Sequence, residues 1–145
     1  MSVEERTDFL TEARVALCAI ARDNGRSPHV SPLWFEYDES GLSVIVESGS
    51  EKQRLLRRGS PVTICIQDES PPYAYVTIEG RVADIREASY QEHFNLARRY
   101  LPQGIAEAYM ETVGSRSKNF RIQIEPLRWL SFRYRRPAAE RREHQ

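Results

Sequence analysis

Two cysteines in 145 residues, Cys18 and Cys65, leave no room for a disulfide framework or a four-cysteine metal site. They form no CxxC pair, and each sits in an apolar run, as a small reduced core residue does. No stretch approaches the ~18 apolar residues that cross a bilayer. Residues 1–8 have no apolar secretory core, so the expected location is the cytoplasm, with no membrane partner. An excess of one charge is missing too: 21 Lys+Arg meet 21 Asp+Glu, for a formal net charge of zero. A nucleic-acid binder normally carries a basic excess, so no nucleic-acid partner is expected. GxGxxG, GxxxxGK[ST] and GxSxG are all absent, which removes a dinucleotide crossover, a phosphate loop and a hydrolase elbow. The three histidines, His29, His93 and His144, fall into no zinc or iron spacing, so no metal is expected. An enzyme built on such a chain takes its reactivity from a bound cofactor. Lysine is scarce as well, with only Lys52 and Lys118 among the 21 basic residues.

What remains is one ordinary globular domain: 40% hydrophobic, 29% charged and long enough for a sizeable core. Residues 2–13 read as a short helix with Val3, Phe9, Leu10 and Ala13 inward. Residues 15–22 (VALCAIAR) are apolar on both faces, as a strand walled on both sides would be. Asp23-Asn24-Gly25 then signals a hairpin, because both central residues accept positive φ. Residues 28–37, 42–47, 61–67 and 73–85 continue as strands, with Gly80 marking a bulge or bend in the last. Residues 50–58 favour a short helix closed by Gly59.

From Glu87 the period becomes helical, with Tyr90, Phe94, Ala97 and Leu101 on one face, a break at Pro102, and Ile105, Ala108, Tyr109 and Val113 beyond it. Residues 119–125 return as a sixth strand, interrupted by Pro126, and 127–134 can extend it at an edge. Hairpin-linked strands followed by a long return connection imply a mainly β, antiparallel six-stranded Greek-key barrel with a helical insertion. The domain spans residues 1–134, and 135–145 form a charged tail with no apolar anchor.

Four places could carry a ligand. Around Ser48–Lys52 (SGSEK) a strand ends, small residues expose amides, and a helix begins with Lys52 in its first turn. An anion could sit there against Ser48, Ser50, Lys52 and Arg54; the same residues also suit a plain capped helix with a solvated basic face. His29 and Ser31 share one face of an aromatic strand (HVSPLWF) that could hold a planar group or simply form a barrel wall. Tyr73 follows Pro71-Pro72, and Trp129 lies near the chain end, where a subunit contact would reach it.

Taken in order, LCAI (17–20), the Asp-Asn-Gly-Arg turn, PHVSPLWF (28–35), SEKQRLLRRGSP (50–61), YAYVTIEGR (73–81) and RWLS (128–131) resemble the pyridoxamine 5'-phosphate oxidase-like, FMN-binding split-barrel superfamily. Residues 50–61 resemble its small-x-K-x-R-N-L-x-x-x-P element, with Leu55 at the asparagine position and Ser60 in place of the common acidic residue. The resemblance covers residues 9–134 and implies a split β-barrel homodimer with a cofactor across the interface. That cofactor would be FMN or the deazaflavin coenzyme F-420, and a small organic substrate would exchange hydride with it. Some members bind haem breakdown products instead, which leaves a non-catalytic flavin or tetrapyrrole carrier as the alternative. By position, Lys52 would hold the phosphate beside Ser48 and Ser50. His29, Ser31 and Pro32 would line the ring's pyrimidine edge, and Trp129 would approach from the partner subunit. The chain is short for the substrate-binding segment of true pyridoxamine phosphate oxidases. Its helical insertion and Pro-Pro-Tyr stretch resemble the deazaflavin-linked group.

Overall fold

The computed structural model describes residues 1–114 and 118–135. It opens with α1 (Val3–Thr11), where Ser2 and Glu5 form a reciprocal capping box that satisfies the first amides. Then come β1 (Ala16–Ile20), β2 (His29–Leu33), β3 (Phe35–Asp38) and β4 (Gly41–Glu47). They are followed by α2 (Glu51–Leu55), β5 (Pro61–Asp68) and β6 (Ala74–Glu87). The helical excursion holds α3 (Tyr90–Tyr100), α4 (Gln103–Tyr109) and a wider π-type turn, Met110–Gly114. The excursion returns as β7 (Asn119–Arg133). Of the proposed tail, Arg135 is described and its guanidinium meets Glu5 at 3.0 Å; positions 136–145 lie outside the described residues.

All strand pairs are antiparallel, in the order β2-β1-β5-β6-β7-β4-β3. Seven strands stand where six were expected, because residues 28–37 are two strands and not one. β2 pairs with β1 and β3 pairs with β4, and the switch happens at the single residue Trp34. Leu33 and Phe35 are thus two positions apart in the chain yet belong to opposite edges of the sheet. Only a sheet curled until its edges meet allows this, so the architecture is a barrel split along a seam at Trp34.

Alternation fills the barrel. Ile64, Ile66, Val76, Ile78, Ile122 and Ile124 point inward and are at most 1% exposed. Each such side chain contributes about 1.5–3 kcal/mol of burial. Gly80 does mark a bulge: the β6–β7 register shifts between Glu79 and Gly80, which faces Pro126, and Leu127 is the extra residue. Pro126 therefore bends the last strand without ending it.

The other sheet face is open. β1 was expected to be walled on both sides, yet Leu17 is 48% exposed. Pairing aligns Leu17 with Pro32, Cys65, Thr77 and Leu130 in one outward row. Cys65 accordingly lies on this half-buried face, while Cys18 is in the core, where burial pushes its thiol up to about 11.

The excursion packs over the seam. Trp34 stacks on Tyr100 with ring centroids 5.0 Å apart and planes 7° from parallel. Arg99 reaches back to α1, whose last turn holds no basic residue, and donates to the carbonyls of Leu10, Thr11 and Glu12 at 2.8–3.0 Å. It supplies both the missing donors and the positive charge that a helix C-terminus favours. The inward face of α3 differs from the expected stripe, since Tyr90 is exposed while His93, Leu96 and Ala97 are buried.

Candidate functional site

A pocket of about 430 Å³ opens beside the seam. The barrel contributes Val15, Pro32, Leu33 and Ile45, and Trp34 supplies an aromatic wall. Lys52 enters from α2, and His93 and Tyr109 enter from the excursion. The volume lies within the range of pockets that hold drug-sized ligands, and the lining mixes apolar side chains with the polar groups of Lys52, His93 and Tyr109. Lys52 is its only fully charged lining residue, and among the described residues no carboxylate lies within ion-pairing distance of it. An ammonium left unpaired in a recess favours an anion.

The loop ahead of α2 works differently from the sequence expectation. The Ser48 amide donates to the Lys118 carbonyl at 2.9 Å, and the Ser50 amide donates to the Glu47 carbonyl. Gly49 donates to the Gln53 side chain, and the Gln53 amide donates to the Ser50 hydroxyl. These four donors are spent inside the chain, so Ser48 and Ser50 shape the turn and cap the helix. Anion attraction rests on the Lys52 side chain.

Of the sequence candidates, the fold brings Pro32 and Lys52 together, and the others stand outside that lining. His29 and Ser31 share β2 with Pro32; His29 Nε2 lies 3.8 Å from Glu51, and His29 Nδ1 and Ser31 Oγ are buried without a hydrogen-bond partner. Two orphaned polar atoms on one strand are uncommon in a settled core and suit a bound polar edge. Arg54 lines a separate depression of about 330 Å³ with Arg22, Arg26 and Glu51. Arg22 pairs with Glu51 at 2.8 Å. Tyr73 borders another recess with Pro71, Pro72 and Tyr134. Trp129 packs edge-on against Tyr37, with the Arg6 guanidinium 4.0 Å from its ring.

Sequence reasoning missed His93 and Tyr109. His93 is 6% exposed, and burial holds its pKa below the ordinary histidine range, so the ring is neutral at pH 7. Its Nε2 lies 3.4 Å from the Tyr109 hydroxyl. Burial, then the charge of Glu47, pushes the Tyr109 pKa up, which keeps its proton in place. The signal was a histidine three residues before Leu96 and four before Ala97, on the face that turns inward.

Among the described residues, no group of three His, Cys, Asp or Glu side chains could hold a metal ion, and no helix is long and apolar enough to cross a membrane.

The fold has known counterparts. The Mycobacterium tuberculosis protein Rv2991 superposes with a TM-score of 0.72 at 20% identity, over 93% of this chain and 86% of its own. A structure described as an F420 reductase gives 0.70 at 21% identity, over 85% of this chain and 94% of its own. A FAD-binding protein from Mesorhizobium loti gives 0.61 at 22%, over 93% and 96%. No curated protein matches by sequence. The profile described as pyridoxamine 5'-phosphate oxidase matches residues 2–130, nearly the whole barrel with its excursion. The chain belongs to the pyridoxamine 5'-phosphate oxidase family.

Proposed function

We propose that the protein is an oxidoreductase that binds FMN or coenzyme F-420 at the Lys52 pocket and moves hydride to or from a small organic substrate. The observation that carries this reading is the unpaired Lys52 ammonium in an aromatic-walled recess. In it, Lys52 meets the coenzyme phosphate, and Pro32 borders the coenzyme ring. The coenzyme supplies the hydride chemistry; the protein supplies binding, orientation and exclusion of water. Kinship with an F420 reductase and a FAD-binding protein supports the ligand class.

The reading includes a homodimer. Leu17, Val30, Tyr75, Leu130 and Phe132 are 41–57% exposed on one sheet face. Tyr75 and Phe132 stack there, with ring centroids 5.8 Å apart. A monomer rarely leaves so contiguous an apolar face in water. A second copy would cover it.

The test is an absorption spectrum after incubation with each coenzyme and extensive dialysis. Retention of either chromophore, followed by turnover against a panel of unsaturated acceptors, is the expected result. Loss of both chromophores at about millimolar affinity would reject the assignment. Retention without turnover would identify a carrier.

A further inference from the structure

We propose that Tyr109 is the pocket's hydrogen-bond donor, held in line by His93, and that it selects flat substrates carrying a neutral acceptor oxygen. This rests on the reading of the Lys52 pocket as the place where substrate meets coenzyme.

The buried imidazole of His93 fixes the direction of the bond between the two side chains. His93 lines the pocket wall at 6% exposure, and its Nδ1 has no hydrogen-bond partner. A neutral imidazole carries one proton, on either Nδ1 or Nε2. With the proton on Nδ1, the chain would bury an N–H that donates to nothing. An orphaned buried N–H is rarer than an orphaned acceptor. The hydrogen-bond pattern thus assigns the proton to Nε2, which donates to the Tyr109 oxygen across 3.4 Å. Tyr109 then accepts from His93 and keeps its own O–H, which has no other partner among the described residues.

Both rings are held in place. Tyr109 meets His93 edge-on, with planes at 86° and centroids 5.7 Å apart, and tilts against Trp34 at 5.3 Å. The spare O–H is therefore a fixed donor in a recess otherwise walled by Val15, Leu33, Trp34 and Ile45. A fixed donor that stays unpaired when an apolar ligand enters is penalised, so such a site discriminates by the presence of an acceptor. Lys52 is set aside for the coenzyme phosphate, which leaves no cation here for a charged substrate. A neutral carbonyl conjugated to a flat apolar body meets every feature.

The test uses coenzyme-free protein and two probes of nearly one shape, acetylnaphthalene and ethylnaphthalene, measured by equilibrium dialysis. Wild type should prefer the ketone by about tenfold, the contribution of one good hydrogen bond. Tyr109→Phe should abolish that preference while still binding ethylnaphthalene. His93→Phe should reduce the preference, and His93→Gln, whose amide can still donate to Tyr109, should restore it. Equal binding of the two probes by wild type, or equal weakening of both in Tyr109→Phe, overturns the proposal. A structural role alone would not move this ratio. Should a variant fail to fold, the ¹⁵N shifts of His93 in wild type decide: a bare Nδ1 supports the proposal and a protonated Nδ1 overturns it. Because no arm contains coenzyme, failure of FMN and F-420 to bind would strike the oxidoreductase reading separately.

Discussion

The Tyr100 hydroxyl closes the barrel seam by accepting from the Phe35 amide at 3.1 Å and donating to the Arg14 carbonyl at 2.8 Å. Where β2 hands over to β3 the ladder has no strand to continue it, and a side chain from α3 takes the strand's place. Tyr100→Phe keeps the stack on Trp34 but orphans both backbone groups. Stability should fall by about 1–3 kcal/mol, read from urea unfolding. An unchanged midpoint would show that water or a small shift replaces the hydroxyl.

The bulge gives a second expectation. A Cβ built on Gly80 would stand 2.6 Å from the Glu125 carbonyl oxygen and 3.0 Å from Ile124. Both neighbours belong to the paired strand β7, so relief requires backbone movement. Gly80→Ala should destabilise by about 1–3 kcal/mol in thermal unfolding. Gly49→Ala, with nothing within 4 Å but φ at 83°, should cost less, about 1 kcal/mol.

Acid should loosen the start of the excursion. Hydrogen bonding to Arg86, then to the Ser89 amide and hydroxyl, holds the Glu92 carboxyl at about 2 against an ordinary 4.5, with burial opposing. The unfolded chain therefore takes up this proton first as pH falls. The stabilisation is complete above about 4.5 and is lost progressively down to about 2. Urea midpoints at about pH 7 and about pH 3 should differ less in Glu92→Gln than in wild type, since glutamine keeps the capping box but does not titrate. Equal pH sensitivity in both would remove Glu92 from the acid response.

Assembly is testable on the open sheet face. Leu130 is 46% exposed in a single chain, opposite Thr77. Wild type should sediment as a dimer at about micromolar concentration, and Leu130→Arg should sediment as a monomer whose own stability changes by no more than about 0.5 kcal/mol. A monomeric wild type would leave the apolar row unexplained and contradict an interfacial site.

Much of this architecture was legible because alternation and turn chemistry are local. Val62, Ile64 and Ile66 announce β5, Asn24-Gly25 announces the first hairpin, and Gly80 announces the bulge. The split at Trp34 was not legible: nothing in PHVSPLWFEY distinguishes one long strand from two strands on opposite sheet edges, because the difference lies in their partners. Lys52 stood out by its position in the first turn of a short helix. The surrounding amides misled, since the Ser50 amide is taken up by the Glu47 carbonyl within the turn and the acceptor of the Ser48 amide, the Lys118 carbonyl, is set by tertiary pairing. His93 and Tyr109 went unseen for the same reason, as their meeting depends on how α4 folds back on α3.

The central claim is that Lys52 holds a coenzyme phosphate in the seam pocket. Titrating FMN and coenzyme F-420 into wild type and Lys52→Ala tests it most directly. The account predicts a loss of about 1.5–3 kcal/mol, roughly ten- to hundredfold in Kd, with inorganic phosphate competing against wild type alone. Equal affinity in the two proteins would contradict it.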